Sequence, residues 1–105
     1  MVNDWFEFDE RLGIEVPIVE DSWDGMSWDE QVLIMDKWEH TRGRIPDRIK
    51  ELERTIVLKQ NALNEEEQFE ASCRLNSEIA ELASQIIDLN LWYRVHQDVD
   101  AKNHH

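Results

Sequence analysis

The stretch IPDRIKELERTIVLKQNALNEEEQFEASCRLNSEIAELASQIIDLNLWYRVH, residues 45–96, decides the fold. Its first apolar stripe, Ile45, Ile49, Leu52, Ile56 and Leu63, advances by four, three, four and seven residues, with Lys59 as the polar interruption. That spacing keeps one face of an α-helix apolar, in the manner of a coiled-coil seam. A second stripe runs through Ser72, Leu75, Ile79, Leu82, Ile86, Leu89, Tyr93 and His96 in alternating steps of three and four. No glycine or proline follows Pro46, so one continuous helix has to be weighed against two. Phase decides the matter. Leu63 and Ser72 stand nine residues apart, and at about 100° per residue the seam would jump to the opposite side of an unbroken helix. A turn near 63–68 gives both stripes one core. Asn64 followed by Glu65, Glu66 and Glu67 supplies a cap and an acidic first turn for the helix that follows. The prediction is an antiparallel helical hairpin, 46–63 against about 66–97.

The two predicted helices differ in length, about 27 Å against about 48 Å at ~1.5 Å per residue. The distal stripe Ile86, Leu89, Trp92 and Tyr93 therefore needs another cover: an earlier helix, the N-terminal segment or a second copy of the chain. Soluble monomers seldom leave such a stripe bare, and a homodimer is expected on that ground.

Upstream of the hairpin, Ser27 and Glu30 have the spacing of a capping box for a helix over 28–42. Trp28, Val32, Met35 and Trp38 give that helix one apolar face, and Gly43 is placed to end it in a left-handed conformation. Pro46 suits the first turn of the next helix, where a missing amide hydrogen costs nothing. Before residue 27 the pattern changes. Leu12, Ile14, Val16 and Ile18 alternate with Gly13, Glu15 and Pro17, which fits an extended segment, while Pro17 argues against a central strand. The predicted fold is all-α: a small helical bundle over 27–100 with a long C-terminal helix, preceded by an extended acidic arm over 1–26 and followed by a disordered tail over 101–105.

The chain has 105 residues, 24 Asp and Glu against 11 Lys and Arg, a net charge of −13, five tryptophans and 41% hydrophobic residues. One domain fits this length, and the apolar and aromatic content demands a core. The charge is unevenly spread. Residues 1–40 hold twelve acids and two bases, a net of −10, together with six of the nine aromatics. Between Arg42 and Arg54 the sign reverses, with Arg42, Arg44, Arg48, Lys50 and Arg54 against Asp47, Glu51 and Glu53. This basic junction reads as a dock for the acidic arm, with an anion site at the start of the second helix as the alternative.

A strongly negative chain repels nucleic-acid phosphates and anionic lipid, so neither is an expected partner. No basic-then-apolar leader and no membrane-length apolar run is present, and a cytoplasmic location is expected. No nucleophile has a visible base beside it. The glycines at 13, 25 and 43 form no phosphate loop, and the pairs Asp36 with His40 and His96 with Asp100 are half of a metal site at most. Cys73 is alone, which excludes an intrachain disulfide, and packing is its expected use. His104 and His105 end the chain and carry no weight. Catalytic residues, cofactor and metal are all expected to be absent.

The expected function is protein–protein interaction, as an adaptor or regulator, through hairpin faces and the acidic aromatic arm toward a partner with a basic surface. The candidate contact residues are Trp5, Phe8, Trp23, Trp28, Met35, Trp38, Ile86, Leu89, Trp92 and Tyr93. The alternative is an acidic mimic of nucleic acid that blocks a basic nucleic-acid-binding protein. Against it stands the placement of the densest acid in an irregular arm.

The run NEEEQFEASCRLNSEIAEL, residues 64–82, resembles the UVR motif, a short helical hairpin of nucleotide-excision-repair subunits and of adaptors and ATPases in bacterial protein quality control. Phe69 and Glu70 match its Phe-Glu pair, Ser72 and Cys73 its two small positions, and Ile79 and Leu82 its later apolar positions. Asn76 and Ser77 stand where that motif has Arg and Asp. The resemblance implies protein binding through a helical hairpin.

Overall fold

In the computed structural model, which describes residues 2–19 and 22–95, the chain is mostly helical. Helix α1 spans Trp28–Arg42, α2 Ile45–Glu65 and α3 Phe69–Tyr93; strands β1, Phe6–Asp9, and β2, Ile14–Pro17, precede them, with 3₁₀ turns at Val2–Trp5 and Trp23–Gly25.

Helices α2 and α3 pack along the seam that periodicity marks out. Ile45, Leu52 and Leu89 are buried, and Ile49, Ile56, Leu63, Leu75, Ile79, Leu82, Ile86 and Tyr93 are half-buried along it. Lys59, at the polar gap, is half-buried and pairs its ammonium with Glu78 of α3 at 2.6 Å. The turn differs from expectation. Asn64 and Glu65 belong to α2, the connection is residues 66–68, and the Glu66 carboxylate accepts from the Gln68 amide at 3.0 Å. Asn64 is therefore no cap; an acid at the turn does the local hydrogen bonding after Leu63 is seated.

Helix α1 begins at the Ser27 cap, but the Glu30 carboxylate is held by the Ser27 hydroxyl and not by the cap amide. The Ser27 hydroxyl accepts from the Glu30 amide at 3.2 Å, and the same hydroxyl donates to the Glu30 carboxylate at 3.0 Å. Its end corrects the sequence reading. Gly43 has φ −63° and ψ −18°, a right-handed conformation, so the chain bends into α2 through Gly43 and Arg44 instead of reversing at a left-handed glycine. The packed face of α1 is also rotated from the expected one. Ile34 and Trp38 are buried, Met35 is half-buried, and Trp28 and Val32 face outward at 72% and 41% exposure.

The N-terminal segment is not an irregular arm. β1 and β2 form an antiparallel hairpin pairing Phe6 with Pro17, Glu7 with Val16, Phe8 with Glu15 and Asp9 with Ile14. Both strands are edges, which is how Pro17 is accommodated. The connecting loop closes on local chemistry: the Leu12 amide donates to the Asp9 carboxylate at 2.9 Å and the Gly13 amide to the Asp9 carbonyl at 2.7 Å. Gly13 alone among the described residues has positive φ, +75°, a conformation costly for any residue with a Cβ. Ile18 then donates back to the Trp5 carbonyl at 2.8 Å.

This hairpin is the piece that touches all three helices. Glu15 pairs with Lys37 of α1 at 3.0 Å, the Leu12 carbonyl accepts from Arg48 of α2 at 2.9 Å, and Arg11 binds Glu81, Ser84 and Asp88 of α3, each at 2.6 Å. Phe6, Leu12 and Ile14 join Ile34, Trp38, Ile45, Leu52 and Leu89 in one core. No residue from 53 to 88 is buried. The core thus sits at one end, and the α2–α3 pair runs on beyond Leu52 as a two-helix prong about 20 Å long at ~1.5 Å per residue. The radius of gyration, 18.0 Å, exceeds the ~13 Å of a compact chain of this size for the same reason.

Candidate functional site

The residues expected to meet a partner fall into two groups. Trp38 and Leu89 lie in the core, and Trp5, Trp23, Ile86, Trp92 and Tyr93 pack against it half-buried. Trp38 meets Trp92 edge to face at 5.7 Å between ring centroids, and Arg42 stacks over the Tyr93 ring at 4.7 Å while donating to the Tyr93 carbonyl at 3.4 Å. The distal stripe of α3 is therefore covered by the chain's own hairpin and α1, which removes the reason to seek a second copy there. Met35 is half-buried. Only Phe8, at 58%, and Trp28, at 72%, remain open from that set.

Sequence reasoning missed other exposed apolar positions. Phe69 is 80% exposed at the far end of the prong, Leu58 69%, Ile87 62%, Leu33 58%, Leu91 57% and Val57 53%. Phe69 opens α3, beside the turn, where Glu65, Glu67 and Glu70 are also exposed. The signal was present: Phe69 lies outside both apolar stripes, so the hairpin seam does not use it. Cys73, expected to pack, is exposed. On the outer side of α2, Lys50, Glu53, Arg54, Val57 and Leu58 form an open, largely apolar surface patch.

The basic junction does not clasp the acidic segment as a set. Arg48 alone reaches the hairpin, through the Leu12 carbonyl, and pairs with Glu51 at 3.2 Å; Arg42 pairs with Glu39 at 2.8 Å. The side chains of Arg44, Lys50 and Arg54 make no hydrogen bond or ion pair with another described residue. The perturbed ionisations are likewise structural. Hydrogen bonds to Glu81 and then Asp88 hold the Arg11 guanidinium above its usual range, the bond to Glu39 does the same for Arg42, and the Arg11 bond holds Glu81 below the usual carboxylate range.

Among the described residues no three His, Cys, Asp or Glu side chains are grouped to hold a metal ion, and no helix is long and apolar enough to cross a membrane. His96, Asp100, His104, His105 and the tail 101–105 lie outside the described residues. Comparison with protein-family models, curated proteins and solved structures found no match.

Proposed function

We propose that the chain is a protein–protein interaction module, an adaptor or regulator, that presents the end of its α2–α3 prong to a partner with a basic surface. The observation that carries this reading is Phe69, 80% exposed at the end of a hairpin whose seam leaves it out. A large exposed aromatic side chain is an anchor that a partner's pocket buries, with the surrounding contacts excluding water from it. Here the rim is Glu65, Glu67 and Glu70, all exposed. Such a rim steers toward positive charge and disfavours acidic competitors. The UVR-like run 64–82 begins at this end, and the resemblance points to the same mode of action.

Partner capture from the source cells tests this. The wild type is compared with Phe69→Ala and with the triple variant Glu65→Lys, Glu67→Lys, Glu70→Lys, each checked for native helix content. A protein retained by the wild type and lost by both variants supports the reading. A specific partner retained equally by all three chains overturns it.

A further inference from the structure

Helix α1 carries large apolar residues on two opposite faces. Ile34 and Trp38 are buried in the core, while Trp28, Val32 and Leu33 are 72%, 41% and 58% exposed. A helix apolar on both sides is normally covered on both. Its outer side is also acidic: Asp29 and Asp36 are exposed there and make no ion pair with another described residue. Trp28, Val32 and Asp36 form a row at steps of four, with Asp29 and Leu33 alongside.

The outer side of α2 carries a row with bases in it. Lys50, Arg54 and Leu58 stand at steps of four, with Val57 alongside and the exposed acids Asp47 and Glu53 at the margins of the open patch they form. Leu58 and Val57 are 69% and 53% exposed, and Lys50 and Arg54 have no described partner. Each row spans eight residues, ~12 Å at 1.5 Å per residue. Laid antiparallel, Asp36 stands opposite Lys50, Val32 against the stem of Arg54, and Trp28 against Leu58. Asp29 then falls within one turn of Arg54. Acid meets base at one end of the row and apolar meets apolar at the other, in a chain whose net charge of −13 otherwise opposes meeting a copy of itself.

We infer that the occupant of this α2 patch is the outer face of α1 from a second copy of this chain. A two-fold pair makes this contact twice, α1 of each copy on α2 of the other, and closes without leaving either face open. This self-association uses neither Phe69 nor its acidic rim, so it stands apart from the prong contact.

Charge reversal tests it with the full chain. Sedimentation should show the wild type as a dimer, and both Lys50→Glu with Arg54→Glu, and Asp29→Lys with Asp36→Lys, should raise the dimer Kd by more than about tenfold, since like charges then face each other. An equimolar mixture of the two reversed chains should recover the dimer, because both contacts are again complementary. A wild type that stays monomeric, a dimer indifferent to both reversals, or a mixture that fails to associate overturns the assignment. A measurement without variants covers the case of misfolding: carbodiimide coupling in a mixture of ¹⁵N-labelled and unlabelled wild type should link Asp36 of one copy to Lys50 of the other. Inter-copy links confined to other pairs, or none at all, also overturn it.

Discussion

Arg11 and Glu81, separated by 70 residues, meet at 2.6 Å between Nε and Oε1, and the same guanidinium reaches Ser84 and Asp88. A turn between two short strands is thereby fixed to three positions on one face of α3, at spacings of three and four. This fork closes the β-hairpin over the distal half of the longest helix, the half that the shorter α2 cannot cover.

The Arg11 bond holds the Glu81 carboxyl below its ordinary value of 4.5. A depressed carboxyl pKa contributes stability that is fully present above the ordinary value and is lost as pH falls through the depressed one. Glu81→Gln should therefore be less stable than the wild type at neutral pH, with the gap closing in strong acid. Urea midpoints at a series of pH values check this, and a gap independent of pH would mean that the pair contributes nothing through ionisation.

Gly13 has φ +75°, and a Cβ placed there would lie 2.9 Å from Arg48 Nε, the atom that donates to the Leu12 carbonyl. Gly13→Ala should cost about 1–2 kcal/mol for the left-handed backbone and further stability from displacing Arg48. In an Arg48→Ala background only the backbone part should remain. A double-mutant cycle by chemical denaturation separates the two, since coupled neighbours do not add.

Leu89 and Leu91, two residues apart on α3, have opposite fates, 0% and 57% exposed. Leu89→Ala should destabilise by about 2–5 kcal/mol, the range for a truncated core residue, while Leu91→Ala should stay within about 0.5 kcal/mol. Equal losses would mean that α3 is rotated from the observed phase.

The hairpin was legible because α2 and α3 each carry one apolar stripe and the nine-residue step from Leu63 to Ser72 breaks their phase. Helix α1 was legible in extent and in its Ser27 cap, but not in rotation. With Trp28, Val32, Leu33, Ile34, Met35 and Trp38 all around it, periodicity admits two faces, and only the meeting of Trp38 with Trp92 selects one. The β-hairpin was missed for a different reason. Alternation over 12–18 showed an extended segment, but strands of four residues each carry no signal of their pairing, and what secures them is the long-range reach of Arg11, Arg48 and Lys37. Of the exposed sites, Phe8 and Trp28 were visible as aromatics in acidic surroundings. Phe69 could have been found as the apolar residue that neither stripe claims.

Trp38 is 5% exposed, yet its indole Nε1 has no hydrogen-bond partner among the described residues. A buried donor left unmade costs about 1–3 kcal/mol, so Trp38 contributes packing and pays back part of it. Trp38→Ala removes the ring against Trp92 and should lose about 3–5 kcal/mol. Trp38→Phe keeps a ring in the edge-to-face position and deletes the unpaired N–H, so two opposing terms act and the loss should be clearly smaller. Equilibrium denaturation of both variants decides the point. If Trp38→Phe lost as much as Trp38→Ala, the indole hydrogen would have to be bonded in solution, and the cost assigned to it here would be wrong.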